Sequence, residues 1–121
     1  DWDLVVVPGG IPGAENLAAS EDLATLLKRQ ADADKYYGAI CASPAVVLHA
    51  RGLVTPGRVT CHPGFAQIID NGNTKDADVV VDNKCVTSRG GGTAMAFSLA
   101  LVEILFSDKV RREVEAGLAI V

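Results

Sequence analysis

The chain has 121 residues, which is enough for one domain with its own hydrophobic core. Apolar residues make up 49% and charged residues 21%, a globular composition that argues against a disordered chain. The net charge of -4 argues against nucleic acid as the main partner, because nucleic-acid-binding faces are basic, and no apolar run is long enough to cross a membrane.

The first half of the chain alternates predicted strands and helices. In chain order these elements are a strand at 4–7, a loop at 8–13, a helix from Ser20 to about Gln30, a strand at 36–41 and a helix from Pro44 to Gly52. The continuously apolar residues 4–7 are typical of a strand in a sheet that is covered on both faces. Ser20 suits a helix N-cap, Pro44 a first helical turn, and Gly52 a helix end.

The second half continues the alternation. Its predicted elements are a strand at 58–61, a helical turn at 65–70, a hairpin at 79–88 with its turn at 82–84, a glycine loop at 89–93, an apolar helix at 94–106 and a helix capped by Ser107 and Asp108. Strands that alternate with helices predict an α/β fold with a mostly parallel sheet and helices on both faces. We expect residues 1–121 to form a single domain.

The sequence pattern points to Cys41 as the best candidate for a reactive side chain. It ends a predicted strand directly before a helix, where a tight turn projects a side chain out of the sheet. The unpaired amides of a helix start can stabilise a thiolate and bind an oxyanion. Small neighbours such as Ala42 and Ser43 favour such a turn, which has the logic of the nucleophile elbow of hydrolases. The alternative is a buried core cysteine.

Four further residues also lie at the carboxyl ends of predicted strands, where parallel α/β sheets bind their ligands. Gly9 and Gly10 follow the first strand and either aim an N–H at the site or form a plain turn. His62 follows the strand at 58–61 and either pairs with Cys41, as in Cys–His nucleophiles, or is a packed or surface histidine. Arg89 binds a carboxylate or stabilises a loop or an interface, and the pattern does not decide between these.

The remaining cysteines and histidine indicate packing rather than chemistry. Cys61 and Cys85 lie within predicted strands, and His49 lies inside a predicted helix. Two histidines and three scattered cysteines lack the spacing of a metal site. Three cysteines without a C-x-x-C pair are typical of reduced thiols, so we expect a cytoplasmic protein.

Four segments together resemble the DJ-1/ThiJ/PfpI superfamily, and specifically its DJ-1 branch, across essentially the whole chain. They are Asp3–Gly10, Gly38–Pro44, Val59–Pro63 and Val86–Thr93, and the motif Ala-Ile-Cys-Ala-x-Pro carries the most weight. The resemblance implies a flavodoxin-like three-layer α/β sandwich and a homodimer. It also implies that Cys41 is an elbow cysteine that is easily oxidised to sulfinate.

The resemblance assigns roles to the other site residues as well. The amides of Gly10 and Ala42 are implied to form an oxyanion hole, and His62 is implied to lie near the thiol. Gly9, Ser43 and Arg89 are assigned to substrate binding or to an interface. Relatives usually have Gly in place of Ser43, so a hydroxyl is added beside the site here.

The activity implied is that of a cofactor-independent glyoxalase or deglycase acting on methylglyoxal-type aldehydes. The alternatives are a non-enzymatic oxidative-stress sensor or redox-regulated chaperone, a role in thiazole monophosphate biosynthesis, and a PfpI-type cysteine peptidase. The peptidase branch typically has His directly after the nucleophile, where this chain has Ala42. Amidotransferases of the superfamily have a glutamate two residues after the histidine-proline pair, and His62-Pro63 is followed here by Gly64 and Phe65.

The resemblance also places a strand and a glutamate that bonds the reactive cysteine upstream of Asp1. We therefore expect the chain to be an N-terminally truncated piece of a longer domain that lacks its N-terminal strands. Residues 1–121 are not expected to form a stable, active enzyme alone, since apolar strands would be exposed. We expect the protein's own cleaved N-terminal segment, or another chain, to cover them.

Overall fold

The computed structural model describes residues 1–119, which form a four-stranded sheet in the order β1-β2-β4-β3. The strands are β1 (Leu4–Val7), β2 (Tyr36–Ile40), β3 (Val79–Asp82) and β4 (Cys85–Ser88). β2 pairs in parallel with β1 and β4, whereas β3 and β4 form an antiparallel hairpin. The predicted mostly parallel sheet and the predicted hairpin are both confirmed.

Helices cover the two faces of this sheet. The helices are α1 (Gly13–Ala18), α2 (Glu21–Asp32), α3 (Ala94–Leu105) and α4 (Asp108–Gly117); α2 and α3 lie against the sheet, and α4 packs on α3. On one face Leu27 of α2 packs against Val7 and Ala39 in a buried apolar cluster. On the other face α3 places Phe97 against the backbone of Gly38, where the ring would touch any added side chain. The result is the expected three-layer α/β sandwich, although α1 was not predicted.

The helix ends follow local rules. The Ser20 hydroxyl accepts a hydrogen bond from the Leu23 N–H at 3.2 Å, and the Ser107 hydroxyl accepts one from the Val110 N–H at 3.1 Å. Both predicted N-caps are therefore confirmed, since each hydroxyl satisfies an amide that has no partner within its helix. None of the helices in residues 1–119 has both the length and the apolarity that spanning a bilayer requires.

β1 differs from the predicted interior strand. Within residues 1–119 it pairs only with β2 and lies at the sheet edge. Val7 is buried, but the Val6 side chain is 40% exposed. The apolar run Leu4–Val7 is therefore covered on one face, and the opposite face remains accessible in the described part of the chain.

The predicted strand at 58–61 is wrong, because these residues form a loop that is buried at 59–61. The Thr60 N–H donates to the Thr87 hydroxyl at 3.1 Å, and the Val59 carbonyl accepts from the Lys75 N–H at 2.8 Å. These partners belong to separate segments and form no continuous ladder. The apolar pattern reflects burial, since Val59 and Cys61 lie in a core cluster with Ala45. Cys61 is thus outside the sheet, and Cys85 lies in β4 as predicted.

Candidate functional site

Cys41 occupies a tight turn at the carboxyl end of β2. The strand ends at Ile40, one residue earlier than predicted, and Cys41 has a φ of +66°. Residues other than glycine rarely adopt this left-handed conformation, which tends to occur at functional sites. The Cys41 N–H donates to the Ser88 carbonyl at 3.1 Å, and the Cys41 carbonyl accepts from the His62 N–H at 2.7 Å. These two bonds hold the turn between β4 and the loop at 59–61, while the Cys41 residue stays partly exposed.

The helical segment after Cys41 starts at Pro44 and ends at Gly52 as predicted, but it is less regular than an α-helix. It consists of a π-helix, Pro44–Leu48, and a 3-10 turn, His49–Arg51, which ends at Gly52 with a φ of +70°. The Ala42 carbonyl accepts hydrogen bonds from both the Ala45 and the Val46 N–H groups. Because a helix dipole grows from many aligned peptide units, this short segment offers Cys41 its nearby amides rather than a long dipole.

The loop after β1 packs directly against the Cys41 turn. A Cβ atom added to Gly9 would lie 2.5 Å from the Cys41 Cβ and 2.8 Å from the Ile40 carbonyl oxygen. Only glycine therefore allows this approach. The Ser43 hydroxyl donates to the Pro8 carbonyl and ties the loop to the turn. The Ser43 hydroxyl thus has a structural role in holding the loop after β1 on the turn.

Two amides beside the turn are free to bind an oxyanion. The N–H groups of Gly10 and Ala42 donate no hydrogen bond to another group among residues 1–119. Gly10 has a φ of +86°, and no atom lies within 4 Å of the position of an added Cβ. Its carbonyl accepts from the Ala14 N–H at 2.7 Å, so the start of α1 anchors the loop. Both amides border the turn, and their role as an oxyanion hole stays a prediction.

His62 contacts Cys41 through its backbone N–H, not through its imidazole ring. The imidazole is exposed, and its Nδ1 accepts a hydrogen bond from the Gly64 N–H at 3.0 Å. The neutral ring therefore carries its proton on Nε2. The ring edge also packs against Phe65, with centroids 6.0 Å apart. Among the described residues the imidazole forms no hydrogen bond with the Cys41 thiol, so a Cys–His pair stays a prediction.

Arg89 is held by acidic neighbours. Its guanidinium lies 3.2 Å from the Asp76 carboxylate and 3.4 Å from the Asp78 carboxylate. The backbone N–H of Arg89 donates to the Asp78 carbonyl. The Ser88 hydroxyl reaches the same carbonyl at 2.7 Å. Of the alternatives that the sequence left open, these contacts favour stabilisation of the loop before β3.

The other two thiols are buried. Burial raises the pKa of Cys61, and the negative charge of Cys41 raises it further. Burial also raises the pKa of Cys85 to about 12, although a hydrogen bond from Tyr37 acts in the opposite direction.

In residues 1–119 no three His, Cys, Asp or Glu side chains cluster as metal ligands. The sequence pattern missed the proximity of Cys61 to Cys41, because 20 residues separate them in the chain.

Native alkylation should distinguish these thiols. At pH 8 a thiol with a pKa of about 12 is ionised only on the order of one part in 10⁴, and thiolates are the reactive species. We expect iodoacetamide to label Cys41 first and Cys85 last, and labelling of Cys85 to accelerate about tenfold per pH unit below pH 12 while the fold persists. Peptide mass spectrometry measures this, with denatured protein as the control. Equal native rates at Cys41 and Cys85 at pH 8 would contradict it.

Comparison with known proteins agrees with this geometry. The model of the DJ-1/PfpI family matches residues 1–104. Protein DJ-1 homolog B of Arabidopsis thaliana is 45% identical over 102 residues, which cover 84% of this chain and 23% of that protein. The glutathione-independent glyoxalase DJR-1.2 of Caenorhabditis elegans is 42% identical over 106 residues, or 86% of this chain and 55% of that protein.

Solved structures show the same fold. Oxidized DJ-1 of Toxoplasma gondii superposes with a TM-score of 0.92 at 36% identity, covering 98% of this chain and 64% of that one. DJ-1beta of Drosophila melanogaster also has a TM-score of 0.92, at 33% identity, covering 100% of this chain and 66% of that one. The chain spans about a quarter of the Arabidopsis protein and about two thirds of these two solved chains. With its flavodoxin-like fold, the chain belongs to the DJ-1/PfpI family and to its DJ-1 branch.

Proposed function

We propose that the protein is a cofactor-independent glyoxalase or deglycase that acts on methylglyoxal-type aldehydes through Cys41. The observation that supports this most is the Cys41 turn, in which the partly exposed Cys41 residue has a φ of +66°. Beside it lie two amides, those of Gly10 and Ala42, with no partner among residues 1–119. A relative that is 42% identical bears the name of a glutathione-independent glyoxalase.

The first step is attack of the Cys41 sulfur on the aldehyde carbon of methylglyoxal. A carbon–sulfur bond forms, and the carbonyl electron pair moves onto oxygen. The N–H groups of Gly10 and Ala42 bind the developing oxyanion, which stabilises the transition state. Protonation of that oxygen gives a hemithioacetal on Cys41.

The second step moves hydrogen within the substrate. A base removes the proton from the former aldehyde carbon, and a proton is returned to the neighbouring carbon, so one carbon is oxidised to a thioester as the other is reduced to an alcohol. Water then hydrolyses the thioester, releasing lactate and the Cys41 thiol. Since the substrate supplies both oxidant and reductant, no cofactor is needed. The base we propose is the glutamate that the family resemblance places upstream of Asp1, with the Nε2 of His62 nearby.

The test is formation of lactate from methylglyoxal, without glutathione, by the full protein. We expect Cys41→Ser to lower the rate roughly 1,000-fold or more, because the nucleophile is lost. Cys85→Ala is the matched control, since Cys85 is buried in β4 and belongs to the packed core. Equal rates for the wild type and Cys41→Ser would refute the proposal.

A second candidate function is oxidative-stress sensing by the same thiol. It is favoured by the partial exposure of the Cys41 residue, because the susceptibility of a cysteine to oxidation follows its exposure. Intact-mass measurement after mild peroxide treatment separates the two functions. Two oxygens added at Cys41 in a protein that turns over no aldehyde would support sensing, and an unmodified Cys41 would exclude it.

A further inference from the structure

A second thiol lies beside the reactive turn. The His62 N–H donates to the Cys41 carbonyl at 2.7 Å, so the residue before His62, which is Cys61, runs alongside Cys41. In a sheet, backbones joined by such a bond lie about 4.8 Å apart, and although Cys61 lies outside the sheet, this one bond brings the two backbones to a comparable spacing. Disulfides join α-carbons that are roughly 4.4–6.8 Å apart, so this spacing suits a bridge.

The surroundings of Cys61 differ from those of Cys85, the third cysteine. Cys61 is 4% exposed, and its sulfur donates to the His62 carbonyl at 3.4 Å, in the loop that borders the turn. Burial raises the pKa of Cys61, and the nearby Cys41 raises it further, in keeping with the backbone bond that brings the two residues together. Cys85 lies in β4, where its ionisation responds to Tyr37 and Asp82 instead.

We propose that Cys61 is the resolving thiol of Cys41. A peroxide first oxidises the Cys41 thiolate to a sulfenic acid, with cleavage of the peroxide O–O bond and reduction of the peroxide to an alcohol or water. The Cys61 sulfur then attacks the Cys41 sulfur and forms an S–S bond. The Cys41 hydroxyl leaves and combines with the proton of Cys61 as water.

This disulfide would protect the Cys41 site from irreversible oxidation. A second peroxide converts a sulfenic acid to a sulfinate, which thiols do not reduce, whereas a disulfide returns to two thiols. Condensation within the molecule does not depend on peroxide concentration, but the second oxidation does. Because burial keeps Cys61 mostly protonated, its attack is slow, so the disulfide should predominate at low peroxide and the sulfinate at high peroxide.

The inference rests on the reactive Cys41 of the proposed function, but it does not require aldehyde turnover. The full protein is reduced, treated with one equivalent or a large excess of hydrogen peroxide, quenched with iodoacetamide and mapped by mass spectrometry without reduction. At one equivalent we expect a Cys41–Cys61 linked peptide that dithiothreitol removes. In Cys61→Ser the linked peptide should vanish, and sulfinate at Cys41 should rise at least fivefold.

Cys85→Ser is the matched control, and it should retain the linked peptide. Equal sulfinate in the wild type and Cys61→Ser, with no linked peptide at any peroxide dose, would overturn the inference. Lactate formation by the reduced wild type is measured in parallel. If the protein turns over methylglyoxal but forms no Cys41–Cys61 linkage, only this inference is refuted. If it forms the linkage but turns over no methylglyoxal, only the proposed enzyme activity is refuted.

Discussion

Replacing Gly9 by alanine is expected to lower both lactate formation and alkylation of Cys41 by roughly 100-fold, as an ångström-scale displacement in an active site does. The new Cβ would lie 2.5 Å from the Cys41 Cβ and 2.8 Å from the Ile40 carbonyl oxygen. Neither atom is the end of a flexible side chain, so the loop after β1 must move away from the turn. The Gly10 N–H moves with it. Initial rates with methylglyoxal and iodoacetamide measure the effect.

Gly13→Ala is the matched control for this variant. Gly13 begins α1 only four residues further along the chain, and no atom lies within 4 Å of the position of its added Cβ. Both rates should therefore stay at the wild-type level in Gly13→Ala. If Gly9→Ala also kept both rates, close packing of the loop on Cys41 would have no part in the chemistry.

Replacing Gly38 by alanine should produce the largest loss of stability, about 3 kcal/mol, at the upper end of what overpacking usually costs. Gly38 lies in the middle of β2, opposite Val6 on one side and Val86 on the other. An added Cβ would lie 2.5 Å from the Val86 carbonyl oxygen and 3.5 Å from the Phe97 ring. The pairing of β2 with β4, which holds Cys41 in place, would have to shift.

Urea unfolding of the full protein measures this loss. Gly92→Ala is the control, because Gly92 lies in the short turn Gly91–Thr93 and an added Cβ would meet nothing within 4 Å. A surface substitution of that kind is expected to change the free energy of unfolding by less than about 0.5 kcal/mol. If Gly38→Ala cost no more than Gly92→Ala, β2 and β4 would tolerate a side chain between them.

Local sequence rules predicted most of the fold. Short apolar runs marked β1 and β2, and serine caps marked the starts of α2 and α4, because a strand pattern or a cap depends on a few adjacent residues. Strands alternating with helices then limited the architecture to an α/β sandwich. The same local reasoning located Cys41 in a turn after β2. The roles of Gly10, Ala42 and His62 came from the family resemblance.

Tertiary contacts decided what the local pattern could not. The buried loop at 59–61 has strand-like composition, yet its partners are Thr87 and Lys75, far away in the chain. The fit of Gly9 against Cys41 and the ring hydrogen bond of His62 also depend on where other segments pack. The sequence by itself therefore determined the fold class and the position of the Cys41 turn. Only the tertiary structure shows that Cys61 lies beside Cys41. Burial accounts for an apolar residue at position 61, but which residues it contacts depends on how distant segments pack.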